Sequence, residues 1–299
     1  MTSLIVVSLI VAACSSSASK AKPPVESAGR AARIAIGTVE AYAVADGHLQ
    51  GPNDGTTFGI GQPTGATTDI LAAAGLPTDT IRLDVQCLLV KSGDRVILFD
   101  TGLGSFADGN TGHLPESLAL AGVQPGAVTD VFISHAHTDH VGGLVTKTGA
   151  LAFPAATIHL SAPEWASLQA DQDKDAQALV HAIASKVAAF EPDTQVLPGV
   201  KAVDTRGHTP GHSSYLVGSG ADAVFYLGDL AHHHVISVQR PAWSIQFDAD
   251  RAAAGTMRQQ TLAALAASGT RVFAVHFPFP GVGHVAADGA GLVWTPAAP

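Results

Sequence analysis

Apolar stretches alternate with short polar turns along most of the chain. Residues 81–90 and 95–100 form two apolar, β-branched runs, and Lys91-Ser92-Gly93-Asp94 joins them. Two such runs around a short polar turn predict a β-hairpin. Shorter apolar runs predict further strands at Thr129–Ser134, Thr157–Leu160, Val200–Thr205, Ser213–Val217 and Ala223–Leu227, and a final strand at Val272–His276.

Helical spacing of apolar residues occurs between these strands. A short helix is predicted at Pro115–Gly122, where a glycine supplies the stop, and a longer helix at Ala249–Ser268. Apolar residues also recur at helical spacing from Ala162 to Phe190, with a polar break at Asp171–Gln177. Groups of strands separated by helices predict an α/β (α+β) fold in which helices cover both faces of the sheets.

The amino-terminal residues differ from the rest of the chain. Leu4 to Ala13 is an apolar run that is too short to span a bilayer and is typical of a signal peptide. It ends in Val11-Ala12-Ala13-Cys14, which resembles a bacterial lipobox and makes Cys14 the expected lipidated residue. We therefore predict a signal peptide at 1–14, a flexible tether at 15–29 and a single domain at 30–299. The alternative is a disordered apolar tail on a cytosolic protein.

These features predict an exported lipoprotein of the cell envelope, with membrane contact only through the lipid anchor on Cys14. Stable anchoring would need several acyl chains, because one chain holds a membrane only marginally. Cys87 would then be the one remaining thiol of the two cysteines, so no internal disulfide is expected. Its strand-like apolar surroundings predict a buried side chain rather than a nucleophile.

Composition excludes some classes of function. Of the 299 residues, 46% are hydrophobic and 14% are charged, which is typical of a folded domain with a sizeable core. The formal net charge of -9 argues against a nucleic-acid partner, which would require a basic surface. The 14 histidines nearly equal the 16 lysines and arginines, and this excess points to metal chemistry, since imidazole is the commonest metal ligand.

The strongest chemical signal is the segment Ser134-His135-Ala136-His137-Thr138-Asp139-His140, which follows the apolar residues 131–133. Its histidines and aspartate cannot all belong to a helix face or a core strand. The ligand-type side chains instead spread over a turn, with a helix starting near Val141. His135 and His137 are expected to point one way, and Asp139 and His140 another. Two ligand sets at one strand end suit a pair of metal ions.

Other strand ends carry similar residues. Gly207-His208-Thr209-Pro210-Gly211-His212 lies in a predicted turn between two strands. Asp229 follows the apolar residues Tyr226-Leu227, and His276 ends the last predicted strand. Functional residues of layered α/β folds tend to occupy such positions.

This set of residues, together with Phe99-Asp100-Thr101-Gly102, resembles the metallo-β-lactamase superfamily. The resemblance covers nearly all of the chain after the tether and implies an αββα sandwich with a dinuclear site at one edge. Asp229 would bridge two sets of ligands: His135, His137 and His208 on one metal, and Asp139, His140 and His276 on the other. His212 would be a supporting residue, and Asp100 would orient a ligand histidine.

Two further segments are similar to the methyl-parathion-hydrolase-like branch, whose relatives include quorum-quenching lactonases. They are His276–His284 and Ile245–Asp250. The resemblance implies a hydrolase that cleaves small-molecule esters, lactones or phosphotriesters with a hydroxide bridging two divalent metal ions. Zinc is the default, although manganese, iron, cobalt or nickel would fit.

Three residues are expected to take part in the chemistry: Asp139, Asp229 and His232. Asp229 would hold the hydroxide and accept its proton. His232 occupies the place of a tyrosine in the lactonases and would donate a hydrogen bond, although His232, His233 and His234 could instead cap a loop. The aromatic candidates for the pocket wall are Phe106, Trp165, Trp243, Phe277 and Phe279, with Phe106 and Trp165 preferred.

Other functions remain open on the sequence. One is a β-lactamase, although the second metal site has no cysteine ligand. Another is a mononuclear iron enzyme that oxidises sulfur, which would not need the second ligand set. A third is a metal-binding lipoprotein without activity. The apolar first half of the domain could also support a homodimer.

Overall fold

Residues 29–297 are described by the computed structural model, and they form sixteen strands and seven α-helices. The strands are β1 (Arg30–Ile36), β2 (Val39–Pro52), β3 (Phe58–Ile60), β4 (Thr80–Ser92), β5 (Arg95–Phe99), β6 (Asp130–Phe132), β7 (Thr157–Ser161), β8 (Val187–Phe190), β9 (Gln195–Leu197), β10 (Val200–Asp204), β11 (Ser213–Val217), β12 (Val224–Tyr226), β13 (Ser244–Ile245), β14 (Arg271–Phe273), β15 (Val282–Asp288) and β16 (Gly291–Pro296). The helices are α1 (Ala66–Ala73), α2 (Leu114–Leu120), α3 (Thr138–Val141), α4 (Ala162–Ala170), α5 (Lys174–Ile183), α6 (Ile236–Gln239) and α7 (Arg251–Ser268).

Two seven-stranded sheets carry the fold. The first has the order β1-β2-β4-β5-β6-β7-β8, and the second has the order β16-β15-β14-β12-β11-β10-β9. Strands β5, β6, β7 and β8 run parallel to one another, and β12 runs parallel to β14. The carboxyl ends of parallel strands meet at one edge of a sheet, so the loops after β5 and β6 lie together, and so do those after β12 and β14.

Strand β4 shows how the layers are arranged. Leu88 and Val90 belong to a core shared with strands of the second sheet, whereas Cys87 and Leu89 pack with residues of α2, α4 and α5. On the outer face of the second sheet, α7 packs against β12 and β14. Both faces of β4 are therefore buried over Cys87 to Val90, which explains the unbroken apolar run of these four residues. The predicted αββα sandwich, the hairpin and the burial of Cys87 are confirmed.

The predicted helical segment after Ala162 is partly wrong. Helices α4 and α5 form on either side of the polar break, but Val187 and Phe190 belong to strand β8, which pairs with β7. Phe190 packs in the core between the sheets, near Tyr215. The apolar spacing of residues 187–190 is compatible with a helix, but these residues pair with the edge of β7 and form a strand instead.

The carboxyl-terminal strand prediction also needs correction. Strand β14 ends at Phe273, because the Ala274 N–H donates to Gly281 O and the chain turns there. It is not the final strand, since the hairpin of β15 and β16 follows. Strands β1 and β2, which cover one end of the first sheet, were not predicted from the sequence.

The predicted signal peptide at 1–14 and the tether at 15–29 lie outside the described residues, apart from Gly29. Within residues 29–297, no helix has the length and apolar character needed to cross a membrane.

Candidate metal centre

The first sheet contributes four of the predicted ligands. Strand β6 ends at Phe132, and the chain leaves the sheet through Ser134 and His135 before the single turn of α3. His137 precedes α3, while Asp139 and His140 lie within it. The helix expected near Val141 thus begins three residues earlier, so that two ligands lie on a helical turn rather than before it.

The second sheet contributes the other three from its facing loops. His208 lies between β10 and β11, Asp229 follows β12, and His276 follows β14. All seven side chains meet at one edge of the sandwich. They form two clusters within which the ligand atoms lie no more than 4.8 Å apart: His135, His137, His208 and Asp229 in the first cluster, and Asp139, His140 and His276 in the second.

Asp229 lies between these clusters with one oxygen facing each. Its Oδ2 atom is 3.6 Å from His135 Nε2 and 3.5 Å from His208 Nε2. Its Oδ1 atom is 3.2 Å from His140 Nε2 and 3.1 Å from His276 Nε2. A carboxylate in this position can serve both clusters, which is the arrangement that the bridging role requires.

Several of the donor atoms have no hydrogen-bond partner and so suit metal ions. His135 Nε2, His140 Nε2 and Asp229 Oδ1 are buried and accept or donate no hydrogen bond to any described residue. Buried polar atoms are rarely left unsatisfied. In contrast, the Nδ1 atoms of His140 and His276 have hydrogen-bonding partners on the side away from the clusters. His140 Nδ1 lies 2.7 Å from Asp100 Oδ2, and His276 Nδ1 lies 2.8 Å from Asp84 O. Such contacts leave Nε2 as the free ligand atom.

Electrostatics favour neutral imidazoles in the first cluster. Burial holds the pKa of His135 and of His208 well below the ordinary histidine value. In the second cluster, burial also lowers the pKa of His140, but the carboxylates of Asp229 and Asp139 outweigh it and raise this pKa. Burial raises the pKa of Asp229, yet the surrounding imidazoles hold it well below its ordinary value. The first cluster therefore offers neutral imidazoles beside an ionised carboxylate, which is a donor set that Zn²⁺ accepts readily.

Asp100 is the hub of the network behind the second cluster. Its Oδ1 accepts the Ser134 N–H at 2.7 Å, and its Oδ2 accepts the Tyr226 hydroxyl at 2.7 Å. Together with the contact to His140, these bonds match the expectation that Asp100 orients a ligand histidine.

The histidine run after Asp229 divides into different roles. His232 is buried against the first cluster, with its Nε2 atom 3.0 Å from Asp229 Oδ2 but not aligned for a hydrogen bond. His233 Nδ1 accepts the N–H groups of Val235 and Ile236 and so caps the start of α6. Only His232 of the three lies in the centre.

His212 supports the centre without joining either cluster. Its Nε2 atom accepts the Asp229 N–H at 2.9 Å, and its Nδ1 atom lies 2.9 Å from the Thr205 hydroxyl. Burial lowers the pKa of His212 to about 4, so the ring is neutral and can accept that bond. His212 therefore positions the backbone of Asp229.

A cavity of about 860 Å³ opens onto the clusters. His137, Asp139, Asp229, His232 and His276 line one part of it. The remaining wall is mainly apolar and includes Leu49, Leu83, Leu103, Val141, Leu168, Leu179, Ala182 and Phe247.

Of the five aromatic residues proposed for this wall, Phe106 lines the cavity. The preference for Trp165 was wrong, because that side chain packs against the core beneath the first sheet. Phe277 is buried behind the second sheet, Phe279 packs against the core between the sheets, and Trp243 packs beside β3. Aromatic type alone does not distinguish a wall residue from a core residue.

Two buried carboxylates behind the first cluster were missed on the sequence. Asp248 lies 3.0 Å from His208 Nδ1, and Glu164 hydrogen-bonds to two ligand-bearing loops. Ser161 and Glu164 have the spacing of a helix-capping box, and Ser161 does cap α4. This local pattern carries no sign of the long-range contacts that the Glu164 carboxylate makes.

Comparison with known proteins begins with a family model of the metallo-beta-lactamase superfamily, which matches residues 80–287. An N-acyl homoserine lactonase from Bacillus sp is 28% identical over 160 residues, which are 47% of this chain and 61% of that protein. An N-acyl homoserine lactonase from Bacillus cereus is 29% identical over 162 residues, with the same coverage. The match thus spans about 61% of the length of these relatives.

Solved structures resemble the whole described fold. AidC, a dizinc quorum-quenching lactonase solved with a product, N-hexanoyl-L-homoserine, has a TM-score of 0.86 and 30% identity. That match covers 91% of this chain and 99% of AidC. The hydrolase AbOPH, described as a member of the beta lactamase superfamily, has a TM-score of 0.80 and 28% identity, covering 89% of this chain and 97% of AbOPH.

Proposed function

The chain belongs to the metallo-β-lactamase superfamily, and on that basis we propose that it is a two-metal hydrolase that opens N-acyl homoserine lactones. Aryl esters and phosphotriesters are proposed as secondary substrates. The observation that carries the proposal is Asp229, which faces both histidine clusters in the lining of a large apolar cavity. Similarity to N-acyl homoserine lactonases and to a dizinc lactonase supports the choice of substrate.

The residues of the two clusters would each hold one divalent ion, and zinc suits their imidazole and carboxylate donors. When bound, the ions would make hydroxide available as a nucleophile near neutral pH and would supply Lewis acidity towards the carbonyl oxygen. Asp100, Asp84 O and Asp248 would keep the histidine rings in their orientations, because each lies within hydrogen-bonding distance of an Nδ1 atom.

Asp229 and His232 would handle protons during ring opening. Attack on the lactone carbonyl adds one oxygen, breaks the ring C–O bond and leaves an alkoxide that requires a proton. The Asp229 carboxylate would accept the proton of the nucleophile, and the His232 ring, whose nitrogens have no hydrogen-bond partner among the described residues, would deliver a proton to the alkoxide. His232 Nε2 and Asp229 Oδ2 lie 3.0 Å apart, so a rotation of the imidazole ring that aligned them would let the proton pass from Asp229 to His232.

The cavity would bind the acyl part of the substrate. Leucine, valine and alanine side chains make up most of its wall away from the clusters, and Phe106 and Phe247 are exposed at its surface. Apolar walls with a few convergent polar groups are typical of small-molecule sites. An uncharged amphiphile would fit this cavity, with its reactive carbonyl at the clusters and its apolar chain against the apolar wall.

Location and assembly are further parts of the proposal. We propose export to the cell envelope with a lipid anchor on Cys14, and we propose that the domain can form a homodimer. Labelling of cells with a fatty-acid analogue, with Cys14→Ser as the control, tests the anchor. Light scattering of the protein in solution measures the oligomeric state.

The test of function combines metal content with turnover. Purified protein would be analysed for bound metal and assayed with N-hexanoyl homoserine lactone, an aryl ester, a phosphotriester and a chromogenic β-lactam. Two metals per chain, with the lactone as the best substrate, would support the proposal. Matched variants are His137→Ala, which should abolish turnover, and His181→Ala, an exposed histidine whose loss should leave it intact.

Two outcomes would replace the proposal. Preferential hydrolysis of the β-lactam would make the protein a β-lactamase. One tightly held iron without hydrolysis, but with oxygen consumption in the presence of a persulfide, would make it a mononuclear sulfur-oxidising enzyme.

A further inference from the structure

A buried glutamate connects the two loops that carry the first cluster. Glu164, in the first turn of α4, is only 2% exposed and lies outside both clusters. Burial of an ionisable side chain is costly unless hydrogen bonds compensate for it. The partners of its carboxylate therefore indicate what this residue does.

The two carboxylate oxygens bind different loops. Oε1 accepts the Ala136 N–H at 2.8 Å. Oε2 accepts the Gly211 N–H at 2.8 Å and the Thr209 hydroxyl at 2.8 Å. All three partners donate, so the site suits an oxygen acceptor at both positions.

These loops come from different sheets. Ala136 lies between the ligands His135 and His137, which follow β6 of the first sheet. Thr209 adjoins His208, which follows β10 of the second sheet. His137 Nδ1 and His208 Nε2 approach to 3.0 Å at the point where the loops meet. Glu164 thus connects the loop after β6 with the loop after β10, and these two loops together supply the histidines of the first cluster.

The start of α4 holds the second of these loops closely. Ser161 Oγ donates to Gly211 O at 2.6 Å. A Cβ atom on Gly211 would lie 2.2 Å from the Glu164 backbone nitrogen, so this approach requires a glycine. The loop therefore has little freedom to shift relative to Glu164.

From this arrangement we infer that Glu164 is a positioning residue that sets the distance between His208 and the His135–His137 pair, and so the metal affinity of the first cluster. The inference rests on the proposed two-metal function. Glutamine at this position would present one amide N–H₂ to a donor, whichever way it is turned. One of the two loops would then lose its anchor.

The experiment measures zinc affinity by competition with a chelator, starting from metal-free protein. For Glu164→Gln, we expect the zinc affinity of one of the two sites to fall about 10- to 100-fold. A loss of this size is usual when a residue that orients a metal ligand is replaced. The other site should be unchanged. Glu116→Gln, at an exposed position of α2, is the matched control.

A second pair of variants is available if Glu164→Gln does not fold. Thr209→Ala removes one donor to Oε2 and should weaken the same site, whereas Thr209→Ser keeps the hydroxyl and should restore its affinity. Urea unfolding of each metal-free variant is measured alongside. A loss of stability in Glu164→Gln and Thr209→Ala with unchanged zinc affinity at both sites would overturn the inference, because the role would then be structural only.

The outcomes separate this inference from the proposed function. If the wild-type chain itself binds fewer than two metals, the proposed function fails. If the wild type binds two metals and the Glu164 and Thr209 variants bind them equally well, the function stands and the positioning role is wrong.

Discussion

Asp248 Oδ1 lies 3.0 Å from His208 Nδ1, a contact that directs the opposite nitrogen of the ring at Asp229. The Asp248 carboxylate is bound on its other side by Arg258, at 3.0 Å and 3.2 Å from Nη2. His208 is therefore oriented through a chain of two charged residues that begins on helix α7.

Asp248→Asn should weaken metal binding without removing a ligand. The amide is neutral and holds the His208 N–H less strongly, so zinc affinity should fall about 10- to 100-fold. Chelator competition on metal-free protein measures it. Asp94→Asn, in the exposed turn between β4 and β5, is the control. Equal affinities for wild type and Asp248→Asn would contradict the orienting role.

Arg258→Leu should destabilise the fold. This side chain is 1% exposed, and it donates to Leu230 O and Trp243 O as well as to Asp248. It also donates to Pro241 O. Its loss leaves a buried carboxylate and three carbonyls without this partner, which should cost about 3–5 kcal/mol. Urea unfolding of the metal-free protein gives the value. Arg251→Leu, exposed on the same helix, should change it by less than about 0.5 kcal/mol.

His232→Phe should slow turnover while both metals remain bound. The phenyl ring preserves the packing against Phe247 but cannot donate a proton to the alkoxide. We expect kcat for the lactone to fall about 100-fold or more. Metal analysis of the same sample provides the control. Phenolate leaving groups need little protonation, so an aryl ester should be affected less, and equal losses for both substrates would argue against the proton-donating role.

Ala182→Trp should shift chain-length preference. Ala182 is half-buried on α5 and lines the cavity. An indole there would fill space needed by a long acyl chain, so KM for a decanoyl lactone should rise about tenfold or more, since each buried methylene contributes about 0.8 kcal/mol. KM for a butanoyl lactone should change little. Ala264→Trp, exposed on α7, is the control, and a uniform rise across chain lengths would place the acyl group elsewhere.

Asp130→Asn tests a network remote from the centre. Burial raises the pKa of Asp130, but hydrogen bonds from His159, Thr129 and Arg95 outweigh it and leave this pKa below its ordinary value. The charged form therefore stabilises the fold above the unfolded-state pKa, and this contribution is lost as pH falls through the folded-state pKa. Asp130→Asn should be less stable by about 1–3 kcal/mol near neutral pH.

The difference between Asp130→Asn and wild type should shrink as the solution is acidified towards about pH 3, because protonation neutralises the wild-type carboxyl group as well. Urea unfolding at several pH values measures it. A difference that does not depend on pH would mean that the Asp130 charge contributes nothing.

Much of the site could be read from the sequence because its ligands are concentrated near strand ends. Four lie within six residues, His135 to His140, and no helix face or core strand accommodates such a pattern. Asp229 and His276 each follow an apolar run, which marks the end of a strand without reference to the rest of the chain. The alternation of apolar runs and turns likewise predicted strands separated by helices, since both are local properties, and the resemblance to the metallo-β-lactamase superfamily supplied the expectation of a sandwich.

The tertiary structure decided which side chains support the ligands and which line the cavity. Glu164 binds Thr209, which follows His208, from 45 positions away, and Asp248 contacts His208 from 40 positions away. Trp165 faces the core, although the next helix lines the cavity. The choice of strand over helix at Val187–Phe190 likewise came from the free edge of β7. Such contacts depend on how the two sheets and their helices pack together, and the spacing of residues along the chain does not determine that packing.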